Sequence, residues 1–403
     1  MALGQTVLVS GFEHVPGHHC GSTALRNLLA FHGTEISEEL AFGLGAGACF
    51  YYFASDDLSP TRFTNGRTGR LEESFLELTG APLRLTTEPD PGRAWDAARA
   101  VVDDGRPVLL ITDLFHLDHY GNSAHFPGHA VVLAGYDDEH AYVSDTGFEG
   151  LQRTSLAGLE KARHEQHPFY PLAGHMLDVP GEPPSAEELL AAAPAAIERA
   201  ALRMQEPDLG EFEGLPALRR FADEVGSWPE AAPDWKWCAR FNYQVIDRRG
   251  TGGSNFRALY SRFLAEAGRE AAAALAATAA EQWTTLAGEL FAASETDEPD
   301  SAGWERIGAA ASRVLDSEER LWAALRPGAA RRGSTGSPRR RHRHRPSPGW
   351  SSGERGTRPG RDRCRARCRD RAAPARGGRR RPPRRRTWPP PRAGPPRGRA
   401  AAR

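Results

Sequence analysis

Three side chains in one order could do chemistry in this chain: Cys20, His129 and Asp145. Cys20 opens the run Gly21-Ser22-Thr23-Ala24-Leu25-Arg26-Asn27-Leu28-Leu29-Ala30-Phe31, and His129 opens the apolar run Ala130-Val131-Val132-Leu133, with Asp145 sixteen positions beyond it. A thiol attacks as its thiolate, and both a helix N-terminus and a neighbouring imidazole favour that ionised form. The order therefore predicts a cysteine-nucleophile acyl-transfer enzyme in which Cys20 attacks, His129 moves protons and Asp145 fixes the imidazole tautomer. Taken singly, Cys20 reads as a small buried residue, His129 as structural and Asp145 as a turn residue before Thr146-Gly147. They acquire meaning as a set.

These residues need a helix and two strands to hold them. Ala24, Leu25, Leu28, Leu29 and Phe31 mark one face of a helix that starts at Cys20 or Gly21 and ends at His32-Gly33. A short helix is expected at 38–42, a flexible loop at Gly43, Gly45 and Gly47, a helix at 94–103 and a buried strand at 107–111. Segments 130–134 and 141–144, separated by the turn Asp137-Asp138-Glu139-His140, read as an antiparallel pair. Helix first and antiparallel strands after is an α+β order. From Pro183-Pro184-Ser185 onward the texture is helical: Ser185 is a helix cap, and segments 189–204, 264–280 and 304–325 predict four to six helices. The expected organisation is a catalytic α+β domain at 1–180, a linker at 181–185, a helical domain at 185–327 and a disordered tail at 328–403.

The formal net charge of +0 averages two unlike segments. Residues 328–403 hold 26 Arg, no Lys and 3 acidic residues, which leaves 26 basic and 49 acidic residues in 1–327. The tail has almost no aliphatic side chains and cannot bury a core. It reads either as an arginine-rich arm for acidic partners or as the product of a GC-rich gene translated out of frame. The body lacks the aromatic and basic interleaving of a nucleic-acid binder, and no stretch approaches the eighteen apolar residues of a membrane span. Cysteines at 20, 49, 238, 364 and 368 make no disulfide framework, so a reducing, cytoplasmic setting is expected.

Two further groups have ligand chemistry. His14, His18, His19 and Cys20, and separately His116, His119, His125 and His129, offer zinc-type donors. No two of them share a metal-pair spacing on an expected helix, so neither a metal nor a cofactor is expected. Gly250-Thr251-Gly252-Gly253-Ser254 leads into a helix; Gly252, Gly253, Ser254 and Arg257 could hold an anion such as a pantetheine phosphate or a carboxylate. The same glycines also suit a tight turn packed against the cleft, and both readings stay open.

Residues 11–180 resemble the N-terminal domain of the butirosin biosynthesis protein H family, through His19-Cys20-Gly21-Ser22-Thr23-Ala24-Leu25-Arg26-Asn27-Leu28-Leu29, Ala41-Phe42-Gly43-Leu44-Gly45, Gly128-His129-Ala130-Val131-Val132-Leu133 and Val143-Ser144-Asp145. Residues 185–325 resemble the helical domain that usually follows, chiefly through Arg249-Gly250-Thr251-Gly252-Gly253-Ser254-Asn255-Phe256-Arg257-Ala258-Leu259-Tyr260. The first half is similar in turn to the papain-like peptidases that trim bacteriocin leaders. The resemblance implies transfer of an acyl group from an acyl carrier protein to a small amine, as in attaching an aminoacyl side chain to an aminoglycoside, with Cys20, His129 and Asp145 as the triad. A cysteine peptidase or amide hydrolase using the same triad is the alternative. The leader-trimming peptidases place a Gln oxyanion donor six residues before the nucleophile; His14 stands there in this chain, which leaves His14 or His19 to supply that bond.

Overall fold

The computed structural model of the chain describes residues 6–121, 125–167 and 170–326. The segment 328–403, expected to be disordered, lies outside the described residues.

The chain begins with β1 (Val7–Leu8), the helices α1 (Cys20–Phe31) and α2 (Glu38–Leu44), and a hairpin of β2 (Ala48–Ala54) and β3 (Arg62–Arg67). Then come α3 (Leu71–Thr79), β4 (Arg84–Thr86), α4 (Pro91–Asp103), β5 (Val108–Asp113), β6 (Pro127–Tyr136), β7 (His140–Ser144), β8 (Gln152–Ser155) and α5 (Leu156–Arg163). A short hairpin of β9 (Gln166–His167) and β10 (Tyr170–Pro171) precedes β11 (Met176–Asp178). The rest is helical: α6 (Ala186–Leu190), α7 (Ala193–Gln205), α8 (Gly214–Glu224), α9 (Trp228–Ala231), α10 (Trp235–Tyr243), α11 (Arg257–Glu266), α12 (Glu270–Ser294) and α13 (Ser301–Ala324).

The main sheet runs β4-β11-β5-β6-β7-β8, with β1 added to the end of β6, and its pairings are antiparallel. The fold is α+β, as the element order implied. β5 reads as an unbroken apolar run because both of its faces are covered. Leu109 and Ile111 join Ala130 and Val132 in the cluster that holds Cys20, Leu25 and Leu28 of α1. Val108 and Leu110 join Val131 and Leu133 against Val101 of α4 and Leu159 of α5. Side chains that alternate along a strand thus serve two cores. The pair expected between 130–134 and 141–144 is β6 and β7, with Leu133 opposite Val143.

Three expectations need correction. The glycines at 43–47 are packed, not flexible: Gly43 lies inside α2, where a Cβ would stand 2.1 Å from the Phe263 ring, and one on Gly47 would stand 2.6 Å from Phe42. The helix expected at 94–103 starts three residues earlier at Pro91, because Asp90 caps it through the Arg93 N–H at 2.9 Å and proline suits the first helical position. The helical segment holds eight α-helices among the described residues, since α6 and α9 span only 5 and 4 residues, too short to show a period.

The described residues form one compact unit, and its main apolar cluster draws on α1 and α2 together with α7, α8 and α10 to α13. The centre of the helical packing is a charge pair. Arg257 Nε and Glu318 Oε1 are 2.7 Å apart with both side chains fully buried. Arg257 also donates to the Gly66 and Cys49 carbonyls at 3.0 and 2.9 Å, and Glu318 accepts from the Trp283 and Trp322 indoles at 2.6 Å each. The helices thereby hold the β2/β3 hairpin in place, and Arg67, next to Gly66, acts on the nucleophile described below. No helix among the described residues is long and apolar enough to cross a membrane.

Candidate active site

Cys20 is the first residue of α1, and its position is set from behind. His19 caps the helix, its Nδ1 accepting from the Ser22 N–H at 3.2 Å. Glu38, at the start of α2, accepts from the His18 and His19 N–H groups at 3.0 and 2.7 Å and from the Ser22 hydroxyl at 3.3 Å. That consumes the amides before the nucleophile. The N–H groups of Cys20 and Gly21 have no acceptor among the described residues, as the first turn of a helix leaves them.

His129 and the Ala130 backbone lie beside the thiol and favour its ionised form. Burial opposes its ionisation, but the His129 bond, the charges of His129 and Arg67, and the Ala130 amide outweigh burial and lower its pKa. The other described thiols go the opposite way: burial pushes Cys49 up to about 12 and Cys238 up to about 11. Cys20 keeps 9% of its surface exposed, whereas Cys49 and Cys238 keep none. Of the three, only Cys20 has the environment of a nucleophile.

His129 sits in β6 opposite Thr112 of β5, just after Gly128, whose φ of 84° bends the strand entry in a way that suits glycine. Its Nε2 lies 3.0 Å from Asp145 Oδ1, which leaves Nδ1 to meet the thiol. Burial alone would lower the imidazole pKa; the Asp145 charge and hydrogen bond, with Cys20 beside it, override that and raise it to about 10. Asp145, fully buried just after β7, is also held by the Tyr120 hydroxyl at 3.1 Å and by His119 Nε2 at 2.8 Å. Burial would raise its carboxyl, but His129 and His119 hold it well below the usual carboxylate range. Tyr120 went unnoticed in the sequence, and His119 was read there only as one of a group of zinc-type donors; a His-Tyr pair in a loop has no period to tie it to Asp145.

The remaining expected residues divide. His14 is not a free oxyanion donor: its Nδ1 is 2.7 Å from the Ser144 hydroxyl and its Nε2 is 2.7 Å from the Phe148 carbonyl, so both ring nitrogens are spent bracing the segment around Asp145. His19 is different. Nδ1 accepts a backbone N–H, so the proton of the neutral ring is on Nε2, and that buried atom has no partner among the described residues. Burial, with Arg67 and His129 nearby, holds the ring well below its usual pKa and keeps it neutral.

The glycine segment lies directly behind the nucleophile. A Cβ on Gly252 would stand 3.2 Å from the His18 ring, and Phe256 stacks on Phe42 at 5.6 Å and meets His19 edge-on at 5.6 Å. Residues 252–256 all have positive φ, from 51° to 82°, a left-handed run that only its two glycines take without strain. Arg257 does not serve an anion, since its guanidinium is committed to Glu318 and to backbone carbonyls. Ser254 is buried and its hydroxyl accepts the Ala258 N–H; Gly252 and Gly253 stay half-buried.

Two ionisable side chains stand by the start of α1. Arg67 lowers the Cys20 pKa and stands 5.7 Å from the centre of the Phe126 ring. Glu72, half-buried at the start of α3, reaches Gly21: a Cβ there would stand 2.2 Å from Glu72 Oε1. Burial raises the Glu72 carboxyl to about 7.

A thiol at a helix start, with an imidazole on an antiparallel strand and a buried carboxylate behind it, is the arrangement of a cysteine nucleophile on an α+β fold. Residues 19–146 match the model of the butirosin biosynthesis protein H, N-terminal family, and residues 157–325 match a domain of unknown function (DUF4872). Comparison with curated proteins gives no match. Among solved structures the chain is similar to one described as a putative C39-like peptidase from Bacillus anthracis, at 18% identity over 43% of this chain and 96% of that one, with a TM-score of 0.31.

Proposed function

We propose that this protein is an acyltransferase that carries an acyl group from an acyl carrier protein thioester, through an acyl-enzyme on Cys20, to a small amine in natural-product biosynthesis, of the aminoglycoside kind. The observation that carries the reading is the chain of contacts from the Cys20 thiol through His129 to Asp145, beside two unclaimed N–H groups at the helix start.

The steps balance on those residues. The Cys20 thiolate adds to the thioester carbonyl, and the developing oxyanion is met by the Cys20 N–H and by Nε2–H of His19. Collapse breaks the carrier C–S bond, and the imidazolium of His129 protonates the departing carrier thiolate. The acyl group then sits on Cys20 and His129 is neutral. The amine adds to the same carbonyl, loses a proton to His129 and expels Cys20 as thiolate, which restores the ion pair. For the phosphate of the carrier's arm the glycine loop offers the Gly252 N–H, without help from Arg257 or from the Gly253 N–H, which is given to the Thr251 hydroxyl at 2.9 Å.

Hydrolysis is the second reading, because water in place of the amine uses the same contacts. The test is intact-mass measurement after mixing the full chain with acylated carrier protein. One acyl adduct should form, vanish in Cys20→Ala, and leave as an amide when an aminoglycoside is added. Release of the free acid alone, or cleavage of peptides with no adduct from any acyl carrier, overturns the transferase reading.

A further inference from the structure

We propose that His116, His125 and Glu165 form a zinc site, separate from the catalytic triad, that staples the β5–β6 connection to the end of α5. One donor atom from each of the three lies within 4.8 Å of the others. His116 Nε2 and Glu165 Oε2 already stand 2.7 Å apart, bridged by one proton. Donors of a tetrahedral zinc ion, at about 2.0–2.1 Å from it, are roughly 3.3 Å from each other, so the cluster is within a side-chain rotation of that geometry.

The outer contacts fit a metal ligand. His125 Nδ1 is 2.8 Å from Asp113 Oδ2, and Asp113 is fully buried and accepts the Phe115 and Phe126 N–H groups at 3.0 and 2.8 Å. A carboxylate so placed holds the proton on Nδ1 and leaves Nε2 with its lone pair, the arrangement in which an imidazole ligates best. The His125 ring stacks on Phe115 with centroids 4.1 Å apart, which limits its rotation. Side-chain exposures of 20%, 37% and 26% for His116, His125 and Glu165 leave the cluster open to an ion from solution. Two imidazoles and a carboxylate suit Zn2+, with water as the fourth ligand. The site is independent of the triad, since His119 and His129 are both spent on Asp145.

The staple also has a consequence for the triad. His116 and His125 bracket the segment that carries His119 and Tyr120, the two groups that hold Asp145 from the side opposite His129. Zinc binding requires His116 to carry its proton on Nδ1 and links His116 and His125 to Glu165, so the ion stabilises the fold.

The experiment uses the full chain with Cys20→Ala, stripped with chelator and titrated with ZnCl2 by calorimetry, with Tm measured in parallel. The count of equivalents is compared between variants because His342, His344, Cys364 and Cys368 offer zinc other ligands on the same chain. His116→Ala combined with His125→Ala should lose one equivalent and the accompanying rise in Tm, and Glu165→Gln, which keeps the shape, should weaken the same step at least tenfold. Equal equivalents and equal affinity in the parent and both variants would overturn the site.

Discussion

His129 Nε2 lies 3.0 Å from Asp145 Oδ1, so the imidazole turns its other nitrogen to Cys20. The tautomer is thus decided by a carboxylate that is itself held on its second oxygen by His119. Asp145→Asn preserves the shape but offers an amide that can hold the wrong tautomer. The acylation rate should drop on the order of 10³- to 10⁴-fold with little change in Tm. Stopped-flow measurement of carrier-thiol release checks it, and a rate within a few-fold of the parent would remove Asp145 from the site.

The ion pair sets a pH window for the thiol. Cys20 has a lowered pKa, so its thiolate is present above that value and is lost as pH falls through it; His129 stays charged until pH approaches about 10. Alkylation by iodoacetamide should therefore rise with pH over a lower range than for a free cysteine thiol. In His129→Ala the rise should move to higher pH, because burial then acts on the thiol with less opposing it. Identical profiles for the two proteins would mean that the imidazole does not hold the thiolate.

How far the sequence could be read depended on distance along the chain. α1 was legible because Leu25, Leu28 and Leu29 repeat at helical spacing, and the β6–β7 pair because a turn separates two apolar runs. Cys20, His129 and Asp145 were legible as an order of residue types at element starts. His14 was misleading: position pointed to an oxyanion role, but its ring bonds to Ser144 and Phe148, 130 and 134 residues away, and no local pattern carries that. Arg257 beside a glycine loop looked like an anion ligand until Glu318, 61 positions later, came to it through the packing of α11 and α13. His116 and His125 were in view as zinc-type donors, but Glu165 was not, because it comes from beyond α5.

The oxyanion role of His19 can be separated from its capping role. Asparagine is a good helix cap, so His19→Asn retains the bond to Ser22 while removing Nε2–H. Acylation should slow by roughly 10²- to 10³-fold, the usual loss for one oxyanion donor, while the circular dichroism spectrum is unchanged. A parent-like rate would assign the second donor elsewhere, with the Gly21 N–H next in line.

The Arg257–Glu318 pair makes a stability prediction. Arg257→Met leaves a buried carboxylate with two indole donors but no cation, and removing one partner of a buried pair costs about 3–5 kcal/mol. Replacing both, with Glu318→Leu added, removes the stranded charge but orphans the Trp283 and Trp322 N–H groups, at about 1–3 kcal/mol each. The double variant should thus recover only part of the loss in urea unfolding. Full recovery would show that the indole bonds contribute little.

Glu72 offers a way to recognise the amine. Its carboxyl, raised to about 7 by burial, reaches Gly21 next to the nucleophile. It is neutral below that pH and anionic above it, and a cationic acceptor is drawn to the anion alone. The KM for the amine should fall as pH rises through about 7 in the parent. In Glu72→Gln it should be higher and nearly flat over the same range, with carrier-thiol release in the first half-reaction unaffected. If the substitution slows that first half-reaction and leaves the amine KM alone, Glu72 belongs to the nucleophile's surroundings and not to the acceptor.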